Sequence, residues 1–344
     1  MATTTKFDDK HIFSEFEDAE RLGLIKEIVR QDPLLANIPR CSFFPLWFSN
    51  ISMLRELVAG GQTDTGFRLR WNLLGWTSFT DVPGILAGSK QLPEDEQGGR
   101  REASQSPQGR SDLNPARNSQ VLDRDGNKCV LTKHGRTTLQ IAHIVLYKVH
   151  TSQQEGFWRW MEPFWGVDEV RRWKTQILGA GETFDTEKVQ NMMALACHVD
   201  IYWDQPICAF RPIRVNGDNT RMDIAFHWLP LPDKKTRRID KVPIDEHPYP
   251  GMYERTGFTD SPGENISVFD MKTRVVIPSG HIFTITTDDP VQKPLPSFQL
   301  LELQWILTRI AAMQGAGGDE DSDMDYDGDS VANYNDDDGL SIIV

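Results

Sequence analysis

Cysteine is scarce in this sequence. The 344 residues contain four cysteines, which lie far apart at Cys41, Cys129, Cys197 and Cys208, with no CxxC pair. So few thiols exclude the dense disulfide framework that is typical of small secreted domains. They also exclude a structural zinc site built from two cysteine pairs.

Long apolar segments are missing as well. Residues 1–13 have no apolar run and carry acids early, which excludes a secretory signal peptide. Residues 71–88 are the most apolar stretch, but Asp81 and Pro83 interrupt it and exclude a membrane span. We therefore expect an intracellular protein, nuclear or cytoplasmic, that is neither secreted nor embedded in a membrane.

The sequence does contain enough apolar material for a substantial core, since 39% of its residues are hydrophobic and 10% are aromatic. Negative charge is concentrated at one end: residues 315–344 hold ten of the 50 acids and no Lys or Arg. Of the net charge of −13, ten units belong to that segment, so the remainder carries −3. A body this close to neutral is compatible with a nucleic-acid partner.

Composition divides the chain into four parts and predicts an α+β protein. We expect a mainly helical region at 1–88 and a domain of strands and helices at 116–314. Between them, residues 89–115 are polar and rich in Gly and Pro, which is typical of a disordered linker. Residues 315–344 have the composition of an acidic disordered tail.

Hydrophobic spacing indicates which segments form helices and which form strands. Helices are predicted at 13–28, 48–57, 157–179, 192–203 and 300–313. Strands are predicted at 129–132, 138–145, 207–213, 222–228, 275–277 and 281–286. We expect the first two strands to form a hairpin, followed by an aromatic helical insert and the helix at 192–203.

Three motifs lie along this strand–strand–helix segment. Residues 124–132 read RDGNKCVLT, residues 139–145 read LQIAHIV, and residues 191–204 read NMMALACHVDIYWD. Over about residues 117–213 the sequence resembles the HNH endonuclease family, and more narrowly its fungal members. The resemblance implies a ββα-metal unit, a fold in which two strands and a helix hold a divalent cation, and it implies cleavage of DNA, with RNA second.

The resemblance also implies roles for individual residues. His143 lies where the family has its general base, and an imidazole that titrates near neutral pH suits the deprotonation of water. Asn191 lies where the family has an Asn that either orients the loop or contacts the metal; a plain helix cap is the alternative. Catalytic roles are therefore expected at His143 and Asn191.

The metal position departs from the family pattern. Asp200 stands where the family usually has a His ligand, and His198 lies two residues earlier, about 200° away around a helix. A carboxylate favours Mg²⁺ or Mn²⁺, with Zn²⁺ as the alternative. We expect Asp200, Asn191 and His198 as ligands, although a solvated helix face for Asp200 and an ordinary exposed His198 stay open.

Basic residues cluster near the motifs and are candidates for phosphate contacts. They are Lys148, Arg159, Arg171, Arg172 and Lys174. A solvated helix face is the alternative for them. The acidic tail is read as a solubilising segment, as a mask over a basic site, or as a binding segment for a basic partner.

Two other functions stay open beside the nuclease. Ala142, the residue before His143, offers no metal ligand, although many active relatives have an acid or a His there. An HNH scaffold that has lost catalysis and binds nucleic acid or protein is therefore the main alternative. A protein–protein adaptor that works through the acidic tail is the third.

Overall fold

The structure is a computed structural model that describes residues 9–59, 64–73, 115–145, 151–179, 184–230, 241–248 and 266–314. Lys148, the acidic tail and all of the expected linker except Pro115 lie outside these residues. Pro115 itself begins a helix that the sequence pattern did not predict.

The N-terminal part of the chain is mainly helical, as expected. A 3-10 helix at Asp9–Glu17 is followed by α1 (Ala19–Gln31), β1 (Asn37–Pro39), α2 (Arg40–Phe48), α3 (Ile51–Val58) and α4 (Asp64–Leu73). The sequence predicts a single helix at 48–57, but α2 ends at Phe48 and α3 begins at Ile51. The break lies at Asn50, whose side chain accepts a hydrogen bond from Ser52 N and so caps α3.

The middle of the chain contains the expected aromatic insert. Its elements are α5 (Pro115–Arg124), β2 (Leu139–His143), α6 (Thr151–Trp165), α7 (Val167–Gln176), β3 (Met192–Ala196) and α8 (Cys197–Asp204). Gly166, with φ of +89°, separates the two helices of the insert. Strands β2 and β3 pair antiparallel, with Leu139 opposite Ala196 and His143 opposite Met192.

The C-terminal part adds strands and one long helix. Its elements are β4 (Cys208–Val215), β5 (Arg221–Trp228), β6 (Lys241–Pro243), β7 (Phe269–Asp270), β8 (Val275–Val276), β9 (His281–Thr286) and α9 (Phe298–Met313). Strands β4, β5 and β9 form an antiparallel sheet against which α9 packs. These elements confirm the strands and the helix expected beyond residue 206.

Both halves of the chain contribute to one hydrophobic core. Strand β1 pairs with β6, and the Arg40 side chain donates a hydrogen bond of 2.8 Å to the carbonyl of Met313 at the end of α9. The buried Arg309 of α9 reaches back to the carbonyl of Ile12 and to the carboxylate of Glu15. The described residues therefore form an α+β fold, while the division into four parts stays a prediction.

The strand expected at 129–132 is a turn. Lys133 has φ of +62°, and the segment closes with a hydrogen bond from Cys129 N to His134 O. A single bridge joins Lys128 to Gly135. The left-handed backbone at Lys133 reverses the chain too early for a strand to extend. The prediction of a first strand here is wrong.

The helix expected at 192–203 begins five residues late. Met192–Ala196 forms strand β3, whose residues are all buried, and only Cys197 opens the helix. A short apolar run that is buried on both faces has the same hydrophobic pattern in a strand and in a helix, so spacing alone did not separate them. The two strands of the strand–strand–helix unit are therefore β2 and β3, and the aromatic insert lies between them.

Candidate active site

Strand β2 ends at His143, whose side chain is only 5% exposed. Its Nε2 lies 3.1 Å from Oε1 of Glu187, a carboxylate 44 residues further along the chain. A carboxylate on one ring nitrogen orients an imidazole and stabilises its protonated form. The pair is therefore suited to take and hold a proton.

Glu187 was not among the residues that the sequence indicated. It lies just before the 3-10 helix Val189–Asn191, and its backbone N–H donates to the carboxylate of Asp185. Its side chain is 34% exposed, so the pair is reached from the surface on the Glu187 side. The available signal was an acid four residues before Asn191, and only the fold relates that acid to His143.

Asn191 joins the two strands at the end where His143 lies. Its Oδ1 accepts a hydrogen bond from Val145 N, and its Nδ2 donates to the carbonyls of Val145 and Thr186. Its own carbonyl accepts a bond of 2.7 Å from Ile144 N. The side chain is fully buried and ends a 3-10 helix, so it does not cap α8. These hydrogen bonds fix the backbone that follows His143 and the segment that contains Glu187.

The RDG motif, residues 124–126, supports the same segment through hydrogen bonds to its backbone. Arg124 forms a bidentate ion pair with Asp125, and both side chains are inaccessible to solvent. Arg124 also donates to the carbonyls of Val189 and Met192, on either side of Asn191. The sequence alone indicates no role for this motif beyond the family resemblance. Its position makes it a support for the Asn191 segment.

The metal-ligand candidates on α8 lie on different sides of that helix. Asp200 is buried, whereas His198 is half-buried and packs its ring against His134, with the ring centroids 5.3 Å apart. Burial and the neighbouring His134 both lower the pKa of His198. His198 is therefore surrounded by groups that disfavour its charged form.

The basic residues of the insert are partly neutralised by acids. Arg171 pairs with Asp168, and Arg172 pairs with Glu169 and Glu302. Lys174 lies on the same helix as these arginines, and its Nζ is 6.0 Å from the centre of the Phe184 ring. The exposed Arg159 completes the described part of this group.

The strand–strand–helix unit and its buried histidine coincide with a known family. Residues 129–211 match the HNH endonuclease family model. The matched residues run from the turn after α5 to the middle of β4 and contain His143, Glu187, Asn191 and Asp200. No curated protein and no solved structure matches the chain significantly. The narrower resemblance to fungal members stays a prediction.

HNH domains commonly bind a divalent metal. In the part of the chain that the structure describes, no three His, Cys, Asp or Glu side chains are grouped so that they could hold a metal ion. The amide of Asn191 is engaged by backbone groups, and His198 faces His134. The described donors therefore do not fit a complete metal centre.

None of the helices within the described ranges is long and apolar enough to cross a bilayer.

Proposed function

We propose that the HNH domain hydrolyses phosphodiester bonds of nucleic acid, DNA first and RNA second, with His143 as its general base. The observation that carries the proposal is the His143–Glu187 pair at the end of β2, inside the matched residues. General-base catalysis needs a group within hydrogen-bond reach of the proton that it takes. His143 is held in one orientation by Glu187, whose partly exposed carboxylate connects the pair to the surface.

The roles of the neighbouring residues follow from their contacts. His143 takes a proton from the attacking water at Nδ1, because Nε2 faces Glu187; Nδ1 is buried in this structure, so the scheme requires that substrate binding opens a path to it. The imidazolium that forms has its Nε2–H opposite Glu187 Oε1, and the charge pair stabilises it. Asn191 positions both partners through its bonds to Val145 and Thr186 and is a positioning residue in this scheme.

No step of this mechanism is assigned to a metal ion, because the described donors do not complete a site for one. Dependence on Mg²⁺ or Mn²⁺, with Zn²⁺ second, is instead part of what the experiment measures. Asp200, buried on α8, is the first carboxylate to substitute if cleavage requires a cation.

A non-catalytic scaffold that binds nucleic acid is the second candidate function. It is favoured by the same finding, that no group of three metal-binding side chains occurs in the described residues. The two functions differ in whether bonds are cleaved, so one assay separates them.

The test is nicking of supercoiled plasmid by the full chain, with Mg²⁺, Mn²⁺, Zn²⁺ or EDTA. His143→Ala is compared with His247→Ala, a change at an exposed histidine outside the matched residues. We expect His143→Ala to lower the rate by roughly 10²–10⁴-fold, the usual contribution of a general base, and His247→Ala to leave it unchanged. Nicking that survives in His143→Ala overturns the assignment of the base, and absence of nicking under all conditions favours the scaffold.

A further inference from the structure

The short hairpin formed by β7 and β8 carries exposed apolar side chains. Phe269, Met271 and Val275 are 42%, 51% and 61% exposed. Lys272 and Arg274 lie in the same turn and are also exposed. Large apolar groups gathered at one exposed place are typical of a binding surface.

This hairpin is docked onto the turn that opens the HNH domain. Met271 N donates a hydrogen bond of 2.8 Å to the carbonyl of Thr132. Lys133, which belongs to the turn, interacts electrostatically with Asp270 of the hairpin and with Lys128 of the turn. The hairpin lies outside the matched residues 129–211 but is joined to them by these contacts.

The two elements together present four exposed cations. We call them the basic surface: Lys128 and Arg136 from the turn, Lys272 and Arg274 from the hairpin. None of the four forms an ion pair with a residue that the structure describes.

Several exposed arginines elsewhere in the described chain have acidic partners. Arg30 pairs with Glu27, Arg55 with Glu20, and Arg171 with Asp168. The basic surface differs from these sites, because its four cations are exposed and form no ion pair within the described residues.

Asp270, the acid within the hairpin, acts electrostatically on Lys133 of the turn and forms no ion pair with the four cations of the basic surface. Asp270 uses its Oδ1 to accept hydrogen bonds from the backbone N–H groups of Lys272 and Thr273, at 2.7 and 2.9 Å. Those bonds form the turn and direct the carboxylate towards the backbone, while the side chains of Lys272 and Arg274 stay exposed. The turn thus presents cations to an incoming ligand.

We infer that the basic surface binds the phosphate backbone of nucleic acid, with Phe269 stacking on an unpaired base. The inference rests on the proposed action on nucleic acid and adds the surface that would hold the substrate. Phosphates complement Lys and Arg side chains that have no acidic partner, and an exposed aromatic ring on the same hairpin offers a stacking surface for a base of single-stranded nucleic acid.

The test measures binding of the full chain to a short labelled DNA duplex and to the matching single strand. Fluorescence anisotropy is recorded in EDTA over a series of salt concentrations. The variants are Lys272→Gln/Arg274→Gln and the same pair combined with Lys128→Gln/Arg136→Gln. The control is Arg30→Gln/Arg55→Gln, which removes two exposed charges that have acidic partners.

The expected result is a weaker salt dependence of DNA binding in the surface variants. Each lost phosphate contact lowers the slope of log affinity against log salt by about 1. The double variant therefore loses about 2 units of slope and the quadruple variant about 4, whereas the control keeps the original slope. Phe269→Ala weakens single-strand binding roughly tenfold and duplex binding less.

A further pair of variants separates loss of charge from loss of fold. Lys272→Arg/Arg274→Lys keeps the charges and is expected to keep the slope, and thermal unfolding shows whether each variant is folded. An unchanged slope in the quadruple variant, or no binding of either DNA by the unaltered chain, overturns the inference. Loss of slope only in the surface variants supports it, whether or not the chain nicks plasmid, so failure of the nuclease proposal is distinguishable.

Discussion

The two ends of the strand–strand–helix unit each hold a histidine, and these histidines have opposite kinds of neighbour. At the end of β2, Nε2 of His143 faces the carboxylate of Glu187 at 3.1 Å. At the start of α8, the ring of His198 packs against the ring of His134. A carboxylate stabilises an imidazolium, whereas burial beside another imidazole destabilises it. The partner, more than the residue type, decides which histidine suits proton transfer.

The His143 end is also held by buried polar hydrogen bonds, whereas the described contacts of His198 are with aromatic rings. Arg124, Asp125 and Asn191 bind the backbone on either side of the Glu187 segment. His198 is held by ring contacts with His134 and Tyr202. Substitutions at the His143 end are therefore expected to cost more than a substitution at His198.

The largest expected effect comes from Arg124→Ala. It leaves the carboxylate of Asp125 buried without its cation, and such a change costs about 3–5 kcal/mol of unfolding free energy. Urea unfolding measures this loss, and Arg117→Ala on the same helix is the control. A loss no larger than that of the control would show that the buried pair does not support the fold.

Asn191→Ala is expected to have the next largest effect. It leaves the N–H of Val145 and the carbonyls of Val145 and Thr186 without their side-chain partner, at a cost of about 2–3 kcal/mol. The same unfolding assay applies, with the exposed Asn37→Ala as control. If stability is retained but nicking is lost, Asn191 acts on the chemistry directly and its role as a positioning residue is wrong.

Glu187→Gln tests the partner of His143. The amide keeps the shape of the side chain but no longer stabilises an imidazolium, so nicking should fall roughly 10–100-fold with little change in stability. Glu246→Gln, at an exposed position outside the matched residues, is the control. Equal activity of the two variants would remove Glu187 from the mechanism.

The smallest effect is expected at His198 and depends on pH. Its pKa in the folded chain is lowered by burial and by His134, so below the ordinary value of about 6.5 the unfolded chain binds the proton more readily. The free energy of unfolding should therefore be highest above about pH 6.5, as far as His198 is concerned, and should decrease as the pH falls below that value. His198→Gln should flatten this part of the profile, which unfolding on both sides of about pH 6.5 would measure. An unaltered profile in the variant would assign the pH dependence to other groups.

Part of the candidate site is indicated by the sequence, because the motifs are local. They single out His143 and Asn191 from their neighbours in the sequence, and both residues lie at the junction of β2 and β3. Glu187 could not be recognised in this way, because its contact with His143 joins residues 44 positions apart across the aromatic insert. The hydrogen bonds of Arg124 could not be predicted for the same reason, since its partners Val189 and Met192 are distant in the sequence.

The errors in the fold prediction also have a local cause. Residues 129–132 have the β-branched and apolar content of a strand, but left-handed backbone at Lys133 closes them into a turn. Residues 192–196 are apolar throughout, so their periodicity did not distinguish a buried strand from a helix. Pairing with β2 decided between the two.

By itself, the sequence determined the class of the fold, the HNH resemblance and the positions of His143 and Asn191, because these depend on residue types and short spacings. Tertiary structure decided that Glu187 faces His143 and that the insert separates β2 from β3. It also decided that Arg171 and Arg172 of the insert pair with acids, while the basic surface forms no ion pair within the described residues. These features depend on distances between residues far apart in the chain. Such distances are set by packing of the whole core, which no local pattern encodes.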